Sequence, residues 1–159
     1  MTDARWLDIE DDLASSTKHF RNAIAIYQEG LAADDSLPAY KGRMAFMQAM
    51  QAAYTSMETA FERMLEVLGE TKPTGSRDYH AQLVRRVARA IPDERPAIVE
   101  GDLVKAIDEA RRFRHVARRG YDDFEAPRAA PAIDAAKIIV EGLEPAIAAF
   151  RAKIAARRP

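Results

Sequence analysis

The sequence predicts an all-α fold, an up-down helical bundle of four long helices plus one short helix. Apolar residues recur at spacings of three and four along most of the chain, which is the period of a helix with one buried face. No segment shows the clean apolar–polar alternation of a half-buried strand. Glycine and proline cluster between the periodic stretches and so mark where each helix ends.

The first stretch carries Trp6, Ile9, Leu13, Phe20, Ala23 and Tyr27 and closes near Gly30. Residues 34–38 form the connection. Pro38 suits an early helical position there, because the N–H it lacks would have no helical partner anyway. The second stretch is the longest and carries Met47, Met50, Tyr54, Met57, Phe61, Met64 and Leu68, stopping at Gly69. The short link predicts an antiparallel hairpin of these two helices. After a turn-rich linker over 72–76, a short helix is predicted over 78–90, with Leu83, Val87 and Ile91 inward. Pro92 and Pro96 then break the chain. A fourth helix is predicted over 97–119, with Leu103, Ile107 and Ala110 as its apolar stripe and Gly120 as a C-terminal cap. Residues 122–130 read as a loop. The last helix uses Ile133, Ala136, Val140, Leu143, Ile147, Phe150 and Ile154. Pro145 is expected to kink it, and 156–159 to fray.

All 159 residues read as one domain, with 48% hydrophobic and 31% charged residues, enough to bury a core without covalent staples. The chain has no cysteine, which excludes disulfides and thiolate metal sites and fits a cytoplasmic location. A net charge of −1 gives no bulk affinity for nucleic acid, so any phosphate site must be a local patch. No signal peptide is read after Met1, and no apolar run approaches the roughly 20 residues of a membrane span. No cofactor and no metal are expected. His19, His80 and His115 are scattered, and Glu58, Glu62 and Glu66 have no Glu-x-x-His partner motif. Those glutamates read as a solvated face or as counter-charges to arginines. His80 reads as a packing or hydrogen-bonding residue and His19 as exposed. The methionines of the second helix read as core, ahead of an adaptable groove or a dimer seam.

The stretch that stands out is the end of the fourth helix, Phe113-Arg114-His115-Val116-Ala117-Arg118-Arg119-Gly120-Tyr121. Continuing the stripe past Ala110 reaches Arg114, Ala117 and Tyr121, so the inward face runs into an arginine. Arg118 lies one turn beyond Arg114, about 40° around the axis. A planar guanidinium on a half-buried face fits a phosphate or a carboxylate. A basic last turn also complements the helix dipole, and spacing alone leaves both readings open. Arg111 and Arg112 deepen the patch, while Asp108, Glu109, Asp122 and Asp123 dilute it.

These residues resemble the HEPN superfamily, and within it the HepT-like ribonuclease toxins of toxin–antitoxin pairs. Phe113, Arg114, His115, Arg118 and Tyr121 fit a Phe-Arg-His-x-x-Arg-x-x-Tyr pattern of that branch. Tyr79-His80 followed by Leu83 and Val84 is similar to its aromatic-His-x-x-Leu-Leu segment, and Arg95-Pro96 before the fourth helix is a further match. The resemblance implies a HEPN-like bundle, a homodimer, and metal-independent RNA cleavage by attack of the 2′-hydroxyl. It implies that Arg114 steadies the scissile phosphate, with Arg111 and Arg118 as further phosphate or RNA contacts. It implies that a nucleotidyltransferase (MNT-type) antitoxin attaches AMP to Tyr121.

The family places a histidine five residues after the motif arginine, and here that position is Arg119. Arginine stays protonated at neutral pH, so Arg119 can bind phosphate but cannot carry a proton. This fits natural divergence or a silenced toxin. His115, about 100° around the helix from Arg114, is the substitute considered for proton transfer, and a structural role is its competing reading. Three functions follow: a HepT-like ribonuclease toxin, a catalytically dead relative that binds RNA, a nucleotide or a partner, and a helical interaction module.

Overall fold

We describe the fold from a computed structural model, over residues 3–75, 77–119 and 124–158, leaving aside the side chains of Arg118 and Arg119. Five α-helices make it up: α1 (Ala4–Gln28), α2 (Leu37–Val67), α3 (Tyr79–Ala88), α4 (Asp102–Arg119) and α5 (Ala130–Ala156). The chain is all-α, with no strand among the described residues.

Helices α1 and α2 form the expected antiparallel hairpin. Three cross-pairs run in opposite senses along them: Asp12 with Arg63, Ser15 with Ser56, and Tyr27 with Phe46. Within the seam Ser16, fully buried, donates its hydroxyl to the Ala53 carbonyl at 2.8 Å. That bond satisfies a group that would otherwise be costly to bury. Ser36 caps α2, its hydroxyl accepting from the Ala39 N–H at 3.2 Å, and Pro38 sits in the first turn. The α2 stripe is core as expected: Met47, Met50, Tyr54, Met57, Phe61 and Met64 are all buried. Met50, Met57 and Met64 are closed off within the chain, whereas Met44 is half-buried and, with Met47, lines a surface cavity. Helix α5 packs on both α1 and α4, and one apolar cluster draws on all five helices.

The chain between α3 and α4 departs from the predicted boundaries. Helix α3 ends at Ala88, and α4 starts at Asp102, five residues later than the expected Ala97. Pro92 and Asp93 occupy the corner of a tight turn closed by Glu94 N–H to Ile91 C=O at 3.0 Å, with Asp93 in the left-handed region at φ 64°. The following residues, 96–100, belong to no helix. The N–H groups of Ile98 and Val99 both bond the Val87 carbonyl, at 2.8 and 3.2 Å, and so use acceptor capacity left free where α3 ends. Ile98 and Val99, which fall inside the expected fourth helix, are buried in this segment before it. Arg95 anchors the segment. Its guanidinium is 4% exposed, is paired with Glu70, and donates to the carbonyls of Arg89, Pro96 and Arg86.

Part of the loop expected over 122–130 is a 3₁₀ turn, Ala126–Ala129, that leads directly into α5. Helix α5 is continuous through Pro145. It ends at Ala156, where the expected tail begins.

Candidate functional site

Three helices meet around Arg114. Helix α4 buries Leu103, Ala106, Ile107, Ala110, Phe113 and Ala117, and Arg114 sits half-buried at the edge of that face. Its guanidinium reaches away from its own helix end. Nη1 lies 3.1 Å from Nε2 of His80, in the first turn of α3, and the guanidinium carbon lies 5.8 Å from the centre of the Tyr54 ring on α2. Arg114 is thus not a cap of the last α4 turn. Among the described residues, its Nε and the Tyr54 hydroxyl are buried without a hydrogen-bond partner.

His80 is held from the other side. Its Nδ1 lies 2.5 Å from Oε2 of Glu58 on α2. An arginine only donates hydrogen bonds, so Nε2 accepts from Arg114, and Nδ1 carries the proton that it donates to the carboxylate. The chain Glu58–His80–Arg114 therefore fixes one imidazole tautomer. Glu58 is 6% exposed, and that burial holds its carboxyl above the ordinary value. The His80 hydrogen bond and the nearby Arg114 charge pull in the opposite direction. Burial likewise pushes the Tyr54 phenol up. Partial burial and a hydrogen bond to Glu62 push the Tyr79 hydroxyl up to about 12.

The three helices leave a cavity of about 130 Å³ above this chain, lined by Arg77, Asp78, His80, Ala81, Arg111, Arg114 and His115. Arg111 donates its Nε to Asp108 at 2.8 Å and stands half-buried on the rim. His115 is exposed on the rim. The cavity thus gathers three arginines and two histidines against one aspartate, a setting suited to a phosphate-sized anion.

Several sequence expectations meet here, and others do not. Arg111, Arg114 and His115 share the cavity. The backbone of α4 carries Arg118 and Arg119, but their side chains lie outside the described residues, as do Gly120 and Tyr121 entirely. The joint face of Arg114, Arg118 and Tyr121 therefore falls outside the described structure. Glu58 corrects the expectation of a solvated glutamate face: it is buried and bonded to a histidine. Glu62 and Glu66 do face outward, each near Lys72, at 3.5 and 3.3 Å. His19 is half-buried and not exposed as expected. Sequence reasoning left His80 out of the site. A usable signal was present, since Glu58 stands four residues after Tyr54 and three before Phe61, on the inward stripe of α2, where a carboxylate needs a partner.

A family model described as HepT-like protein matches residues 45–154. No curated protein and no solved structure matches the chain.

Proposed function

Because this chain belongs to the HepT-like protein family, we propose that it is the ribonuclease-toxin component of a toxin–antitoxin pair. In this reading it cleaves RNA without a metal, works as a cytoplasmic homodimer of single-domain chains, and is restrained by a nucleotidyltransferase antitoxin. The observation that supports it best is Arg114, whose guanidinium faces a phosphate-sized basic cavity with its Nε unpartnered among the described residues. Arg114 takes the scissile phosphate. Arg111 and Arg118 add contacts to neighbouring phosphates, Arg119 binds phosphate only, and Tyr121 accepts AMP from the antitoxin. A second reading is favoured by Arg119 itself: a relative that binds RNA, a nucleotide or the antitoxin and no longer cleaves.

Arg114→Ala is the test. Binding of a fluorescent single-stranded RNA should weaken at least about tenfold, as for loss of a charge-assisted contact of about 1.5–3 kcal/mol, with helical circular dichroism unchanged. Unaltered RNA binding in a folded Arg114→Ala protein would remove both readings.

A further inference from the structure

Resting on the ribonuclease reading, we infer that His80, oriented by Glu58, is the proton-transfer group of this chain and takes the place of the histidine that Arg119 replaces. The inference comes from the geometry around Arg114. Transesterification needs a group that gains and loses a proton near neutral pH, within reach of a phosphate held by the arginine. Arg119 is not such a group. His80 offers an imidazole at the right place: its Nε2 lies 3.1 Å from Nη1 of Arg114. That nitrogen carries the lone pair, because the Nδ1 proton is committed to Glu58 at 2.5 Å. A buried carboxylate bonded to one nitrogen of a half-exposed imidazole, leaving the other nitrogen toward a cavity, is the arrangement by which a histidine is aimed and its imidazolium stabilised. His115 lines the same cavity from the exposed rim and has no such carboxylate among the described residues.

The step is balanced within this set. Arg114 turns its donors to the phosphate oxygens and releases Nε2. Nε2 takes the proton of the 2′-hydroxyl as the 2′ oxygen bonds to phosphorus. The bond from phosphorus to the 5′ oxygen breaks, its electron pair leaves with that oxygen, and the imidazolium returns the proton to it. The products are a 2′,3′-cyclic phosphate and a free 5′-hydroxyl. Glu58 touches no reacting atom and acts as a positioning residue.

The experiment measures cleavage of a labelled single-stranded RNA in excess chelator by the unaltered protein and by His80→Ala, Glu58→Gln, His115→Ala and Arg119→His. Circular dichroism and thermal melts verify folding. The unaltered protein should cleave, leaving cyclic-phosphate ends. His80→Ala should lose about 10²–10⁴-fold in kcat, the usual worth of a positioned acid–base group, and added imidazole should restore part of it. A residue that only packs α3 against α2 would give no imidazole rescue. Glu58→Gln should lower kcat by roughly tenfold or more with little change in KM, because it removes the negative charge that stabilises the imidazolium and not the phosphate contact.

Full activity in His80→Ala, or a loss confined to His115→Ala, would overturn the inference and leave the ribonuclease reading standing. So would cleavage by Arg119→His alone, with the unaltered protein inert. If neither the unaltered protein nor Arg119→His cleaves, the ribonuclease reading falls as well.

Discussion

Glu58 occupies a position on α2 where the stripe of Tyr54, Met57 and Phe61 calls for a hydrocarbon, and it is tolerated there because His80 meets it. The balance is unfavourable to the charged form, since its carboxyl is held above the ordinary 4.5 mainly by burial. The folded state therefore binds this proton more tightly than the unfolded state does. Its stabilising contribution is complete below 4.5 and is lost as pH rises through the raised folded value. Glu58→Gln, which keeps an acceptor for His80, should accordingly gain stability relative to the unaltered protein as pH rises from below 4.5 to neutrality. Urea unfolding at the two ends of this range measures the gap. A gap that narrows with pH would mean that attraction to His80 and Arg114 outweighs desolvation. At this scale, Arg114 is legible in the sequence because its signature is contiguous, from Phe113 onward. The pairing of Glu58, His80 and Arg114 is not, because residues 22 and 34 positions apart meet only when three helices pack.

The helices themselves are legible where local chemistry and periodicity agree. In α2, Pro38 and the three–four run from Met47 both point to one helix, which is the one formed. Ser36→Ala removes the hydroxyl that accepts from Ala39 and should cost about 1 kcal/mol, within the 0.5–2 typical of such caps. Chemical denaturation would read this as a lower midpoint with an unchanged slope. Legibility fails between α3 and α4. Ile98 and Val99 are apolar because they are buried in a non-helical segment, and apolar character without a clear period reads equally well as the start of a helix. Their N–H groups go to Val87 on the preceding helix, a destination that no local pattern announces.

Across the whole molecule, one buried guanidinium ties two linkers together. Glu70 follows α2, Arg95 precedes α4, and the Arg86 and Arg89 carbonyls that Arg95 also holds belong to the end of α3. Arg95→Met should destabilise by about 3–5 kcal/mol, since it strands Glu70 and three carbonyls in the interior. Changing Glu70 to Leu as well should recover much of that loss, and urea titration of the two variants tests both statements. The order of the helices and their shared core follow from periodicity, whereas this clamp depends on distant polar groups. A further consequence attaches to α1. The family match begins at residue 45, inside α2, yet Trp6, Ile9, Leu13, Phe20 and Ala23 of α1 are buried in the common core. The conserved-looking segment is therefore a poor guide to a minimal expressible fragment. Trimmed to that segment, the chain would present the α1-facing side of its longest helix to water, and it should be recovered from cells as aggregate.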